Sequence, residues 1–214
     1  MHYRPFFQFA LLLLAALPLE AQVPLSEEAF RISGASKGVV ILQVNWGRYW
    51  KCGMYENAQL QRLAFRRLAE NADSVARNEW ELSPFSTLMT KRFFEPYIVL
   101  LEPGQYALSG FRLKVATSVS DVKVAEVDAS KLIADGKPIG GSFTVGAGEV
   151  VYIGHFGVDC HGEPTPWRFY IDGKQEFDRY VEGFHKKFPY TKDTAVKFRL
   201  FQTETFGQPY ALPE

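Results

Sequence analysis

Apolar positions along the chain follow two rhythms, an alternation of period two that marks half-buried strands and a spacing of three and four that marks a helix face. The unbroken run Gly38-Val39-Val40-Ile41-Leu42-Gln43-Val44, bounded by glycine and Asn45-Trp46-Gly47, predicts a central strand. Tyr49-Trp50 and then Leu60 to Phe65 predict two more strands, although Leu60, Leu63, Ala64 and Leu68 also fit helical spacing. Tyr97 to Leu101, the turn Glu102-Pro103-Gly104-Gln105 and Tyr106 to Leu113 predict a hairpin, with a bulge where the alternation changes phase at Ser109-Gly110. Gly141 to Val145, the turn Gly146-Ala147-Gly148 and Glu149 to Phe156 predict a second hairpin. Asp135-Gly136-Lys137-Pro138 marks a reversal between them, and Trp167 to Ile171 and Val196 to Phe201 complete the strands.

Helical spacing is clearest after Lys174, where Phe177, Tyr180, Val181, Phe184 and Phe188 form one apolar stripe. Asp172 is placed to cap this helix, Glu182 and Lys186 to pair at i,i+4, and Pro189 to end it. Residues 22–37 read as an arm with a short helical turn at Ser26-Glu27-Glu28-Ala29. The stretch 70–87 loses the alternation and reads as a surface insertion. The expected fold is mainly β, an antiparallel β-sandwich with one amphipathic C-terminal helix.

The N-terminus changes the picture of where this fold works. Arg4, the apolar run Phe6 to Leu19 and Leu19-Glu20-Ala21 have the three parts of a cleavable secretory signal over residues 1–21. The alternative is an uncleaved anchor, because Leu19 stands where a small residue is usual. Residues 22–214 then read as a single exported domain, periplasmic or secreted, with no membrane span after cleavage. Lys and Arg total 24 against 24 Asp and Glu, so there is no basic excess to attract nucleic acid. Apolar content of 47% with 15% aromatics indicates a packed core. In an oxidising compartment Cys52 and Cys160 are expected to form one disulfide, the alternative being two separate buried thiols.

The unit Leu101-Glu102-Pro103-Gly104-Gln105-Tyr106-Ala107-Leu108 resembles the Pro-Gly hairpin of transthyretin-like, carboxypeptidase-regulatory-like and PEGA-type β-sandwich domains. The unit from Phe143 to Tyr152 is similar to a hairpin of exported bacterial domains of unknown function. The resemblance implies a non-catalytic adaptor or binding module and brings no catalytic residues with it.

Candidate chemistry is sparse. His155, Asp159, Cys160 and His161 fall within seven residues and offer metal-ligand types, His155, Asp159 and His161 being the candidate set. Their spacing matches no established metal signature, and a strand end followed by a polar turn accounts for them equally well. Ser120-Asp121-Val122-Lys123 has Ser-x-x-Lys spacing but lies in a valine-rich β segment. No cofactor is implied. Trp50 and Trp167 are expected in the core, whereas Trp80, flanked by Glu79 and Glu81 on the insertion, is expected to be exposed and to bind. The expected function is non-catalytic binding of a protein partner or support of an envelope assembly. The alternatives are a carbohydrate or cell-wall binding module, and a metal-dependent enzyme built on the His155–His161 segment.

Overall fold

A computed structural model of the protein describes residues 23–68, 79–84, 94–169, 171 and 173–205. The expected signal segment, the Asp172 cap and most of the 70–87 insertion lie outside these residues.

The chain is mainly β and folds as a sandwich of two sheets. In order, its elements are β1 (Val23–Pro24), α1 (Glu27–Ser33), β2 (Gly38–Asn45), β3 (Tyr49–Cys52), β4 (Tyr55–Arg67), β5 (Glu79–Leu82), β6 (Phe94–Leu101), β7 (Gly104–Ala116) and β8 (Val122–Val127). There follow α2 (Ala129–Leu132), β9 (Ser142–Val145), β10 (Val150–Asp159), β11 (Thr165–Phe169), α3 (Lys174–Lys187), a 3-10 turn (Pro189–Thr191) and β12 (Val196–Phe198). The first sheet runs β1-β6-β2-β10-β11, with β12 also on β10; the second runs β3-β4-β7-β8, with β5 on β4 and β9 on β7.

The first sheet is mixed rather than wholly antiparallel, because β10 runs parallel to both β2 and β12. The chain leaves β2, builds most of the second sheet, and only then returns as β10. Such a long excursion permits a parallel neighbour that a tight turn forbids.

Both turns expected to close hairpins instead carry the chain from one sheet to the other. β6 belongs to the first sheet and β7 to the second, and likewise β10 and β9. The turn residues were legible, but turn chemistry does not say whether the flanking strands pair or face each other. Gly104 at the first crossing sits at φ 155°, where an added Cβ would meet the Arg67 side chain at 2.7 Å. Arg67 Nη2 donates to the Pro103 carbonyl at 2.6 Å, and the Tyr106 hydroxyl to the Glu102 carbonyl at 2.8 Å. Leu101 and Tyr106, on either side of the crossing, both enter the inter-sheet core.

That core joins Val40, Leu42, Val44, Val99, Val151 and Phe156 of the first sheet to Leu60, Leu63, Phe65, Leu108, Leu113 and Phe143 of the second. Phe65 lies at its centre, with the rings of Trp80, Phe143, Phe156 and Phe201 within 6 Å. A second apolar cluster covers the opposite face of the first sheet, where Val39, Ile41, Leu100, Val150 and Tyr152 meet Phe177 and Phe184 of α3, with Ala29 and Phe30 of α1 packed against them. Burial on both faces explains why β2 reads as an unbroken apolar run.

α3 occupies the expected place, and Pro189 starts the turn that follows it. Its cap position is Gly173, which contributes no side-chain hydrogen bond. Lys174 pairs with Asp178 at 3.0 Å, whereas no Glu182–Lys186 pair forms among the described residues. α1 is a seven-residue helix rather than a single turn, capped by Ser26, whose Oγ accepts from the Ala29 amide as the sequence indicates. The bulge at Ser109 is present, since Ala64 faces Gly110 while Phe65 faces Leu108. The reversal at Asp135-Gly136 is present too, closed by the paired Ala134 and Lys137.

Candidate binding surface

Among the described residues β8 is the outermost strand of the second sheet and pairs only with β7. It has no proline, and five of its six residues are exposed. Other strands at sheet margins are shorter, from two residues in β1 to five in β11. A long uncovered edge presents a row of backbone donors and acceptors to any extended chain. Among the described residues β8 is the least protected edge.

Register across the sheet places Trp50 opposite Asn57, Asn57 opposite Ala116, and Ala116 opposite Val122. Directly opposed residues point to the same face, so these four form one row across β3, β4, β7 and β8 on the side away from the core. Trp50 is 57% exposed and Val122 44%, while Val124 and Val119 beside them are 55% and 98% exposed. Asn57 and Ala116 are buried between the two ends and form a floor. An open cleft of about 240 Å³ lies over this floor, lined also by Arg48, Lys114, Ser118 and Glu56. The Arg48 guanidinium stacks over Trp50, its carbon 5.2 Å from the ring centroid.

Further along the same face the charges are paired. Arg62 reaches Glu81 at 2.8 Å, Glu126 at 3.7 Å and Glu79 at 4.0 Å, Arg66 reaches Glu79 at 3.5 Å, and Arg112 grips Glu126 at 2.9 Å. Ser109 Oγ donates to Glu79 at 2.6 Å. Glu79 and Glu81 thus brace the sheet with their carboxylates.

Trp80 between them is not exposed. It points the other way, is 1% accessible and packs against Phe65, the ring centroids 5.5 Å apart. The alternation Glu-Trp-Glu-Leu was a strand signal, and the acids on either side of Trp80 reflect the opposite face rather than a polar loop. Trp50, expected in the core, is the exposed one. Trp167 is half-buried, and Trp46 is fully buried with its Nε1–H donated to the Tyr97 hydroxyl at 2.9 Å.

His155, Asp159 and His161 lie on or just beyond β10. Gly154 is a bulge at φ 108°, and it shifts the register so that Tyr152 and His155 both face the helix layer while Ile153 and Phe156 face the core. Rings of Phe94, Tyr152 and Tyr180 surround His155 at 5.0, 5.4 and 6.0 Å. Its Nε2 is buried without a hydrogen-bond partner among the described residues, and burial holds its pKa down at about 4. Asp159 Oδ1 accepts from the His161 amide at 2.9 Å, in the polar turn, and His161 is exposed. Among the described residues no three His, Cys, Asp or Glu side chains converge as metal ligands.

Cys52 and Cys160 are bonded, with Cα atoms 4.5 Å apart, joining the end of β3 to the end of β10 and so one sheet to the other. Tyr55 reinforces the junction by donating to Glu163 at 3.0 Å. Among the described residues no helix is long and apolar enough to cross a membrane. Compared with known proteins, the chain matches no family model, no curated protein and no solved structure.

Proposed function

We propose that the protein is an exported, non-catalytic domain that binds another protein by accepting an extended segment of it along β8. The observation that carries this reading is the edge of β8, unpaired among the described residues, with Val122 and Val124 exposed beside it. The disulfide and the signal-like N-terminus support export.

The charges of β8 argue that the added strand comes from a different protein rather than from a second copy. Val122, Val124 and Glu126 share one face of the strand, and Lys123, Ala125 and Val127 the other. Antiparallel pairing preserves faces, so in any self-pairing Lys123 meets only Lys123, Ala125 or Val127, and never Glu126. A partner strand with apolar residues against Val122 and Val124, and a carboxylate against Lys123, satisfies both faces. The same lysine disfavours unspecific edge pairing.

Site-specific photocrosslinking tests this surface. A photoreactive residue at Val124 is expected to give a discrete protein adduct in envelope fractions, lost when Val122→Lys is added. Adducts no different from those formed from exposed Ile32 on α1 would contradict the reading.

A further inference from the structure

We infer that the cleft beside Trp50 is a subsite for a saccharide ring bearing a carboxylate, adjoining the strand-pairing edge at Val122. Three features converge there. Trp50 is 57% exposed, beside a floor made by the buried Asn57 and Ala116. Such a platform suits the apolar C–H face of a sugar ring, because an indole offers a large rigid surface at little entropic cost. The volume of about 240 Å³ suits one ring rather than a folded epitope.

Charge supplies the second feature. Arg62, Arg66 and Arg112 on this face are all ion-paired, whereas Arg48 and Lys114 in the cleft form no ion pair among the described residues. Both are half-buried, so each gives up hydration without gaining a carboxylate. Arg48 is held over the indole by its cation–π contact, and its guanidinium carries several N–H donors that suit a carboxylate. Neutral hydrogen-bonding capacity is the third feature, with the Asn57 amide in the lining beside Ser118, whose Oγ already accepts from the Asp121 amide at 3.0 Å. Among the described residues Glu56 is the one acid of the lining, so the two cations leave it net positive.

A stacked ring with its carboxylate turned toward Arg48 and Lys114 uses all three features at once. Neutral sugars gain the platform and the neutral hydrogen bonds but not the cations, and simple carboxylates gain only the cations.

The test is calorimetric titration of the purified, disulfide-intact protein with tetragalacturonate, neutral galactotetraose and acetate. Tetragalacturonate is expected to bind one to one, at least tenfold tighter than either of the others. Trp50→Ala is expected to weaken it tenfold or more, and Trp50→Phe to restore most of that loss. Arg48→Gln and Lys114→Gln are each expected to cost threefold or more at low salt, while Glu56→Gln tightens binding. An unchanged unfolding midpoint verifies the fold of each variant. Equal affinity for the neutral tetrasaccharide, acetate binding as tight as tetragalacturonate, absence of binding, or indifference to Trp50→Ala would each overturn the inference. Photocrosslinking from Val124 reports on the strand partner separately, so failure of one reading is distinguishable from failure of the other.

Discussion

Trp50 and Val122 stand at opposite ends of a single cross-strand row, both side chains exposed and both on the face away from the inter-sheet core. Trp80, on β5 of the same sheet, points to the other face and is buried. Opposite consequences for stability follow. Trp80→Ala is expected to cost about 3–5 kcal/mol, the cavity left beside Phe65 adding to the lost transfer energy. Trp50→Ala is expected to stay within about 0.5 kcal/mol of the parent. Urea denaturation of the two variants compares them, and a Trp50 variant as unstable as the Trp80 one would remove Trp50 from the surface.

The contrast between these tryptophans shows where sequence reading succeeds and fails. β2, β7 and α3 were legible because long apolar runs and stripes admit one period, and the bulge at Ser109 because the phase change lies within a single strand. β5 has only four residues, too few for alternation to outweigh the polar composition around it. Trp50 lies on an equally short strand, where the sequence does not reveal which face the second sheet covers. The crossings at Gly104 and Gly148 were legible as turns but not as links between sheets, because the evidence for pairing lies in distant strands. The paired Arg62–Glu79–Glu81–Glu126 network was invisible for the same reason.

The disulfide closes a loop of 108 residues between the two sheets. In the chain-entropy account such a closure stabilises by about 4–5 kcal/mol at most. Reduction, or the double change Cys52→Ala and Cys160→Ala, is expected to lower stability by about 2–5 kcal/mol in urea titrations. A midpoint unmoved by reductant would show that β3 and β10 hold together without it.

Glu149 ties the crossing before β10 to the C-terminal strand. Hydrogen bonds from Arg199 and then Lys197, with the Gly146 amide as a lesser contribution, lower its pKa to about 2. The folded value lies below the ordinary 4.5, so the stability it contributes is whole above 4.5 and is lost as pH falls toward about 2. Glu149→Gln is expected to cost about 1–2 kcal/mol at neutral pH and to flatten the acid limb over that window. An unaltered acid limb in thermal melts from pH 5 to pH 2 would count against these bonds.

His155 acts over a different window. Burial among Phe94, Tyr152 and Tyr180 lowers its pKa from 6.5 to about 4, so an unfolded chain takes up a proton that the folded chain refuses. Its stabilising effect is whole above 6.5 and declines as pH falls to about 4. His155→Phe, which fills the ring's space without a titrating group, is expected to remove this part of the pH dependence. Retention of the same slope in the variant would place its origin elsewhere.

Amide hydrogen exchange of β8 tests the central claim most directly. In the complex with the protein crosslinked from Val124, the amides of Val122–Val127 that face away from β7 are expected to exchange at least tenfold more slowly than in the free domain. Unchanged exchange along β8, with protection appearing on another face, would contradict the assignment of this edge as the binding surface.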